Sequence, residues 1–177
     1  MAHRFRLSVV LAALLLAISV PSASAYGARH AGAELRDAGG AAVGWARFTE
    51  DSSGILHVNV QVRGLSEGLH GIHIHAIGQC SPTFAAAGGH HNPLGHDHGL
   101  DSTTGAHAGD LPNLVVNGAG NGHLDATSDR ATLSAGPVSI FDLDGSALVI
   151  HFGEDDQVTN PTGNSGSRIA CGVISPR

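Results

Sequence analysis

The chain predicts an all-β fold, a sandwich or barrel of roughly eight strands with two long functional loops, on three observations. Short runs alternate apolar and polar residues, turn-forming residues separate the runs, and no long segment carries helical periodicity. Glycine supplies 25 of the 177 residues and is spread throughout, which suits frequent turns. In chain order, residues 33–36 form a first strand, and DAGG closes a hairpin onto AAVGWARFTE (41–50). After EDSSG comes ILHVNVQVRGL (55–65), and after LSEG comes GLHGIHIHAIG (68–78). LVVNGAGNGHLDATSDRATL (114–133) carries further alternation. SIFDLDGSALVIHF (139–152) reads as a hairpin turning at DLDG, and SRIACGVIS (167–175) as a final strand. Residues 80–114 and 153–167 are too rich in Gly, Pro and polar side chains for strands, and loops of that length in a compact domain are usually functional.

Residues 1–25 read as something other than fold. Arg4 and Arg6 precede an apolar run over 7–20, and Ala-Ser-Ala ends at Ala25. That is the pattern of a cleaved secretory signal peptide, and the run is too short for a spanning helix. The expected domain is therefore 26–177, exported to a periplasm, cell envelope or extracellular space, with no transmembrane span. In an oxidising compartment the only two cysteines, Cys80 and Cys171, favour a disulfide. Two free buried thiols are the alternative.

There is no lysine. Without Arg4 and Arg6, seven arginines face fifteen acidic residues. Such a balance argues against nucleic acid as a partner, because phosphate binding needs a basic patch. Histidine is the abnormal component: of thirteen, eight fall between His70 and His107.

In GIHIH, strand geometry sends Ile72 and Ile74 to one face and His73 and His75 to the other. Alone, that pair reads equally as two surface histidines or as two ligands of one ion. The surroundings add weight to the second reading. His90, His98 and His107 follow in the long loop, Asp110 lies three residues beyond His107, and His151 sits inside the apolar run LVIHF. Imidazole suits zinc and copper, and a carboxylate completes a zinc-type set. There are too many donors for one ion.

GIHIHAIG, GGHHNPLGHDHG, HAGDLPN, LVIHFGEDD and PTGNSGSRIACGVI resemble, in order and spacing, the signature blocks of the secreted copper/zinc superoxide dismutases, over residues 33–174. The resemblance implies an eight-stranded Greek-key β-sandwich or barrel with one copper and one zinc per subunit. Copper would be held by His73, His75, His90 and His151, and zinc by His90, His98, His107 and Asp110. His90 would bridge the two. Asp155 matches a carboxylate that links the outer nitrogens of ligands from both sites, and Arg168 matches the arginine beside the copper. His70 falls at a structural position and His91 where many members carry an aromatic residue. His96 is extra and expected to face solvent; His30, His57 and His123 fall outside the blocks and read as surface or packing residues.

The implied activity is dismutation of superoxide, a small anion, to O₂ and H₂O₂. His90 and Arg168 would act directly, the first carrying a proton and the second guiding the substrate. Family members occur as monomers or dimers, so a homodimer is an admissible partner. An exported metal buffer would need neither Asp155 nor Arg168, and a three-histidine zinc hydrolase leaves the second ligand set unused.

Overall fold

The computed structural model describes residues 30–177; the expected signal peptide lies outside the described residues. The described residues form ten strands: β1 (His30–Asp37), β2 (Ala42–Glu50), β3 (Leu56–Arg63), β4 (Gly68–His70), β5 (Ile72–His75), β6 (Leu114–Val116), β7 (Asn121–Ser128), β8 (Ala147–His151), β9 (Arg168–Val173) and β10 (Ser175–Pro176). All pair antiparallel, in the order β4-β6-β7-β3-β2-β1-β9-β8-β5, with β10 added to β1.

The two ends of that order, β4 and β5, are consecutive in the chain and separated only by Gly71. One extended run therefore pairs with β6 through its first half and with β8 through its second, which nearly closes the sheet into a barrel. Counting 68–75 as one strand, and β10 as an appendage, recovers the expected eight. The connection from β3 to β4 passes over the β6–β7 pair, a Greek-key crossover.

Binary patterning holds where the sequence alternates most strictly. Leu56, Val58, Val60 and Val62 of β3 point into the core, while His57, Gln61 and Arg63 face out. In β2 the inward residues Val43 and Ala46 are three apart, because Val43 is an extra, bulged residue opposite the Leu35–Arg36 step of β1. Ile72, Ile74, Leu148 and Ile150 are fully buried, joining Phe48, Leu35 and Leu56 in the main core. Each such side chain stabilises the fold by about 1.5–3 kcal/mol.

One expected strand is absent. Residues 139–146 form bends rather than the first arm of a hairpin. Ile140 instead donates its N–H to Thr132 O, and Thr132 donates to Val138 O, so this stretch folds back on the segment after β7. Glu50, buried at the end of β2, accepts from the backbone N–H groups of Leu133 and Ser134 at 2.6 Å each and fixes that segment to the barrel. Among the described residues no helix is long and apolar enough to cross a membrane.

Candidate metal centre

β8 covers one edge of β5, and the long loop covers the other. Ile74 donates its N–H to Gly109 O and accepts at its own carbonyl from His91 N, so the loop runs along the strand twice. His75 and His90 face each other as an isolated bridge, as do His73 and Asp110. A Cβ on Gly109 would sit 2.1 Å from Ile74 O, so only glycine allows this approach. The strand alternation then has its outcome: isoleucines in the barrel, and His73 and His75 fully buried on the opposite face beneath the loop.

On that face the outer ring nitrogens are tied down. His75 Nδ1 donates to Gly88 O at 2.9 Å, His151 Nδ1 to Gly166 O at 3.0 Å, and His73 Nε2 to Asp155 Oδ2 at 2.6 Å. A neutral imidazole that donates from one nitrogen carries a lone pair on the other. The inner nitrogens are left as His73 Nδ1, His75 Nε2 and His151 Nε2. His73 Nδ1 and His90 Nε2 are buried with no hydrogen-bond partner, and the Nε2 atoms of His75 and His151 lie 3.5 Å apart. Ligand-type atoms of His73, His75, His90 and His151 all fall within 4.8 Å of one another. Burial pushes His73 down to about 3, His75 to about 2 and His151 to about 4, and it lowers His90 as well. These rings are neutral at pH 7, the form that ligates.

The second group gathers around one carboxylate. Asp110 Oδ1 lies 3.0 Å from His90 Nδ1, 3.0 Å from His98 Nδ1 and 3.3 Å from His107 Nδ1. The Nδ1 atoms of His90 and His107 are 3.3 Å apart. Neighbouring ligands of a tetrahedral zinc ion are separated by roughly 3.3 Å for bonds near 2.0 Å, so this spacing matches. Asp110 Oδ2 is held by the backbone N–H groups of Gly99 and His107 at 2.9 and 3.0 Å. A distance grouping also puts His73 with His90, His98 and Asp110. His107 reaches the same carboxylate, its Nδ1 touching both His90 and Asp110. Burial opposes ionisation of Asp110, but the three imidazoles and two N–H donors hold it well below the usual carboxylate range. Burial likewise opposes the charged form of His98, yet Asp110 and Asp155 on its two nitrogens raise it to about 9. This corner demands a positive charge.

Asp155 joins the two groups, taking His73 Nε2 on Oδ2 and His98 Nε2 on Oδ1 at 3.0 Å. Its carboxyl is held below the ordinary range despite burial, chiefly by those two rings. Two residues around it escaped the sequence reading. Asn113 grips its main chain at both ends, donating to Asp155 O and accepting from Asp155 N, each at 2.8 Å. Gly163, at φ +61°, passes so close that a Cβ would fall 1.8 Å from Asp155 Oδ1. Glycine in PTGNSGS was the available signal, but a turn would leave the same one.

Arg168 lies beside the first group and is half-buried. It donates to Phe84 O at 2.5 Å and Gly88 O at 2.6 Å, and the Gly88 carbonyl is the one His75 uses. Cys80 and Cys171 form a disulfide, which fixes the loop carrying those carbonyls to β9. The bond points to an oxidising environment.

His70 is buried, with one ring nitrogen at His151 O and the other at Ser66 O, and belongs to neither group. His91 is buried and bonds the Val138 backbone, while His96 is exposed, with Nδ1 3.2 Å from Ala106 O. His30, His57 and His123 are exposed, paired with Thr49, Asp51 and Asp125.

Residues 42–174 match the family described as copper/zinc superoxide dismutase. The chain belongs to that family. It is 44% identical to a protein named superoxide dismutase [Cu-Zn] 2 from Aquifex aeolicus, over 96% of this chain and 98% of that one. It is 36% identical to superoxide dismutase [Cu-Zn] from Deinococcus radiodurans, over 96% and 97%. Among solved structures, a double mutant of a SOD-like protein from Bacillus subtilis is similar at 41% identity and a TM-score of 0.75, over 84% of this chain and 97% of that one. Membership makes the chain an oxidoreductase whose cofactors are copper and zinc. The donor chemistry fits both: an all-imidazole set with orphaned inner nitrogens for copper, and three imidazoles around a carboxylate for zinc.

Proposed function

We propose that this chain dismutates superoxide with copper held by His73, His75, His90 and His151 and zinc held by His90, His98, His107 and Asp110. One observation carries the reading: His90 places Nδ1 in the cluster around Asp110, while its buried Nε2 has no partner and the residue is also one of the four imidazoles whose ligand-type atoms lie within 4.8 Å of one another. When bound, copper supplies one-electron exchange with superoxide and zinc a redox-silent positive charge.

The protein's own part is protons, orientation and steering. Gly88 O, Gly166 O and Asp155 keep the lone pairs of His75, His151 and His73 turned inward. His90 Nε2 is left free by its surroundings, so it can hold a proton when not engaged as a ligand and deliver it to departing peroxide. The balance is two superoxide anions and two protons giving O₂ and H₂O₂. Arg168, fixed by two carbonyls, offers the incoming anion a local positive charge. The surplus acids do not cancel it, because exposed charges are screened beyond about 8–10 Å at physiological ionic strength. Residues 1–25 direct export and are removed, leaving 26–177 as the working domain.

The test is elemental analysis of protein loaded with both metals, followed by a superoxide assay coupled to xanthine oxidase. One copper and one zinc per chain with rapid superoxide loss are expected, and His90→Ala should lower the rate by about a hundredfold or more. Parent protein that holds both metals yet leaves superoxide decay unaccelerated is a metal store, and the proposal fails.

A further inference from the structure

Gln157 lies outside both donor sets, in the loop between β8 and β9, and has φ +62°. A non-glycine residue in the left-handed region costs of order 1 kcal/mol or more and persists where its surroundings over-determine it. Here they do. Its backbone N–H donates to Asp155 Oδ1 at 2.7 Å, the oxygen that also receives His98 Nε2. Its carbonyl accepts from Asp101 N at 3.2 Å. Its side-chain amide works in both directions: Oε1 accepts from Leu100 N and Nε2 donates to Leu111 O, each at 3.3 Å.

Those two partners define what the amide does. Leu100 lies two residues after His98, and Leu111 directly follows Asp110. One planar group thus spans both ends of the stretch that carries His98, His107 and Asp110, and it does so from a different loop. The approach is close enough to dictate a second residue, because a Cβ on Gly99 would fall 1.9 Å from Gln157 O. Met or Leu could fill the same space but would leave Leu100 N and Leu111 O without this partner. Asn would reach less far.

We infer that Gln157 is a positioning residue for the zinc set: its amide staples the two ends of the 98–110 stretch together while its backbone N–H orients the carboxylate behind His98. This rests on the zinc assignment above and goes beyond it, since it concerns how the donors are kept in register. Residues that orient metal ligands from outside the coordination shell typically change metal affinity by 10–100-fold when removed.

Three forms of the full-length protein test it: parent, Gln157→Met and Gln157→Gly. The glycine variant relieves the left-handed backbone, which offsets part of the stability lost with the amide's two hydrogen bonds, so its metal-free melting temperature should stay within a few degrees of the parent's. Its zinc affinity, measured by chelator competition, should nonetheless fall about tenfold, as should that of the methionine variant. In both zinc-loaded variants the Leu100 amide should exchange with deuterium faster than in the parent. A residue that merely filled space would move metal-free stability and zinc affinity together, and Met would rescue both. Zinc affinities within twofold of the parent in both variants overturn the inference and leave the assignment of the zinc set intact. A parent that fails to bind zinc at His98, His107 and Asp110 overturns both.

Discussion

Three of the four histidines proposed for copper, His73, His75 and His151, sit on β5 and β8, whereas the donors proposed for zinc all hang on the loop between β5 and β6. Backbone carbonyls and Asp155 set the tautomers of the first group. In the second, a single carboxylate gathers three imidazoles and is itself pinned by two N–H groups. On the proposed assignment the barrel therefore builds the copper side in advance, while the zinc side depends on the charge at its centre. Copper-side geometry should survive loss of zinc better than the loop survives it.

The largest expected effect follows from Asp110→Asn, which keeps the volume and removes the charge. Three buried imidazole nitrogens would then face an amide, and the cation the corner demands would lose its counter-charge. Zinc affinity should fall on the order of a hundredfold or more. Copper bound to zinc-free variant should stay near the parent's value. Chelator competition for each metal in turn measures both, and copper lost in step with zinc would erase the contrast drawn here.

Acid sharpens the same comparison in the metal-free protein. His73, His75 and His151 have folded values of about 3, 2 and 4, below the ordinary 6.5 of an unfolded histidine. The unfolded chain thus takes up protons first as pH falls, and these groups destabilise the fold progressively from pH 6.5 down to about 4 for His151, 3 for His73 and 2 for His75. Each contributes up to about 1.4 kcal/mol per pH unit. His98 has the opposite sign: raised to about 9, it stabilises fully below 6.5 and loses that contribution as pH rises through 9. Melting temperature of the metal-free protein should peak near neutrality and drop on both sides. His98→Phe should flatten only the alkaline limb, and a flat acid limb in the parent would show that the strand histidines are not buried neutral.

Legibility in the sequence divides along the same line. The strict alternation in residues 55–65 and 68–78 marked β3 and the inward isoleucines, because a period of two is local information. The break at Gly71 was not legible, since a strand that changes partners midway looks like any other strand. Nor was the missing arm at 139–146: SIFDLDG has the composition of a hairpin, and the buried Glu50 that ties Leu133 and Ser134 down lies more than eighty residues away. The donors were readable as residue types, while their division into two sets came through the resemblance. Asn113 and Gln157 were not readable, because Asn113 reaches Asp155, and the Gln157 amide reaches Leu100 and Leu111, from more than forty residues away; Gly163 was hidden because a close approach and an ordinary turn both ask for glycine.

The smallest effect should come from Arg168, which touches the copper side from the rim. An anion about 5 Å from its guanidinium would gain on the order of 3 kcal/mol at an effective dielectric near 20, less where solvent screens the half-exposed group. Arg168→Ala should therefore lower the second-order rate about tenfold at low salt and flatten its salt dependence. The variant also frees Gly88 O of one donor, yet His75 Nδ1 still holds that carbonyl, so copper content should be unchanged. Arg168→Lys separates the two roles. A lysine restores the charge but cannot span Phe84 O and Gly88 O as the guanidinium fork does. Recovery of the salt dependence with Lys assigns the effect to charge; a rate that stays low assigns it to the grip on the loop. Parent rate and parent slope in Arg168→Ala would remove the residue from the mechanism.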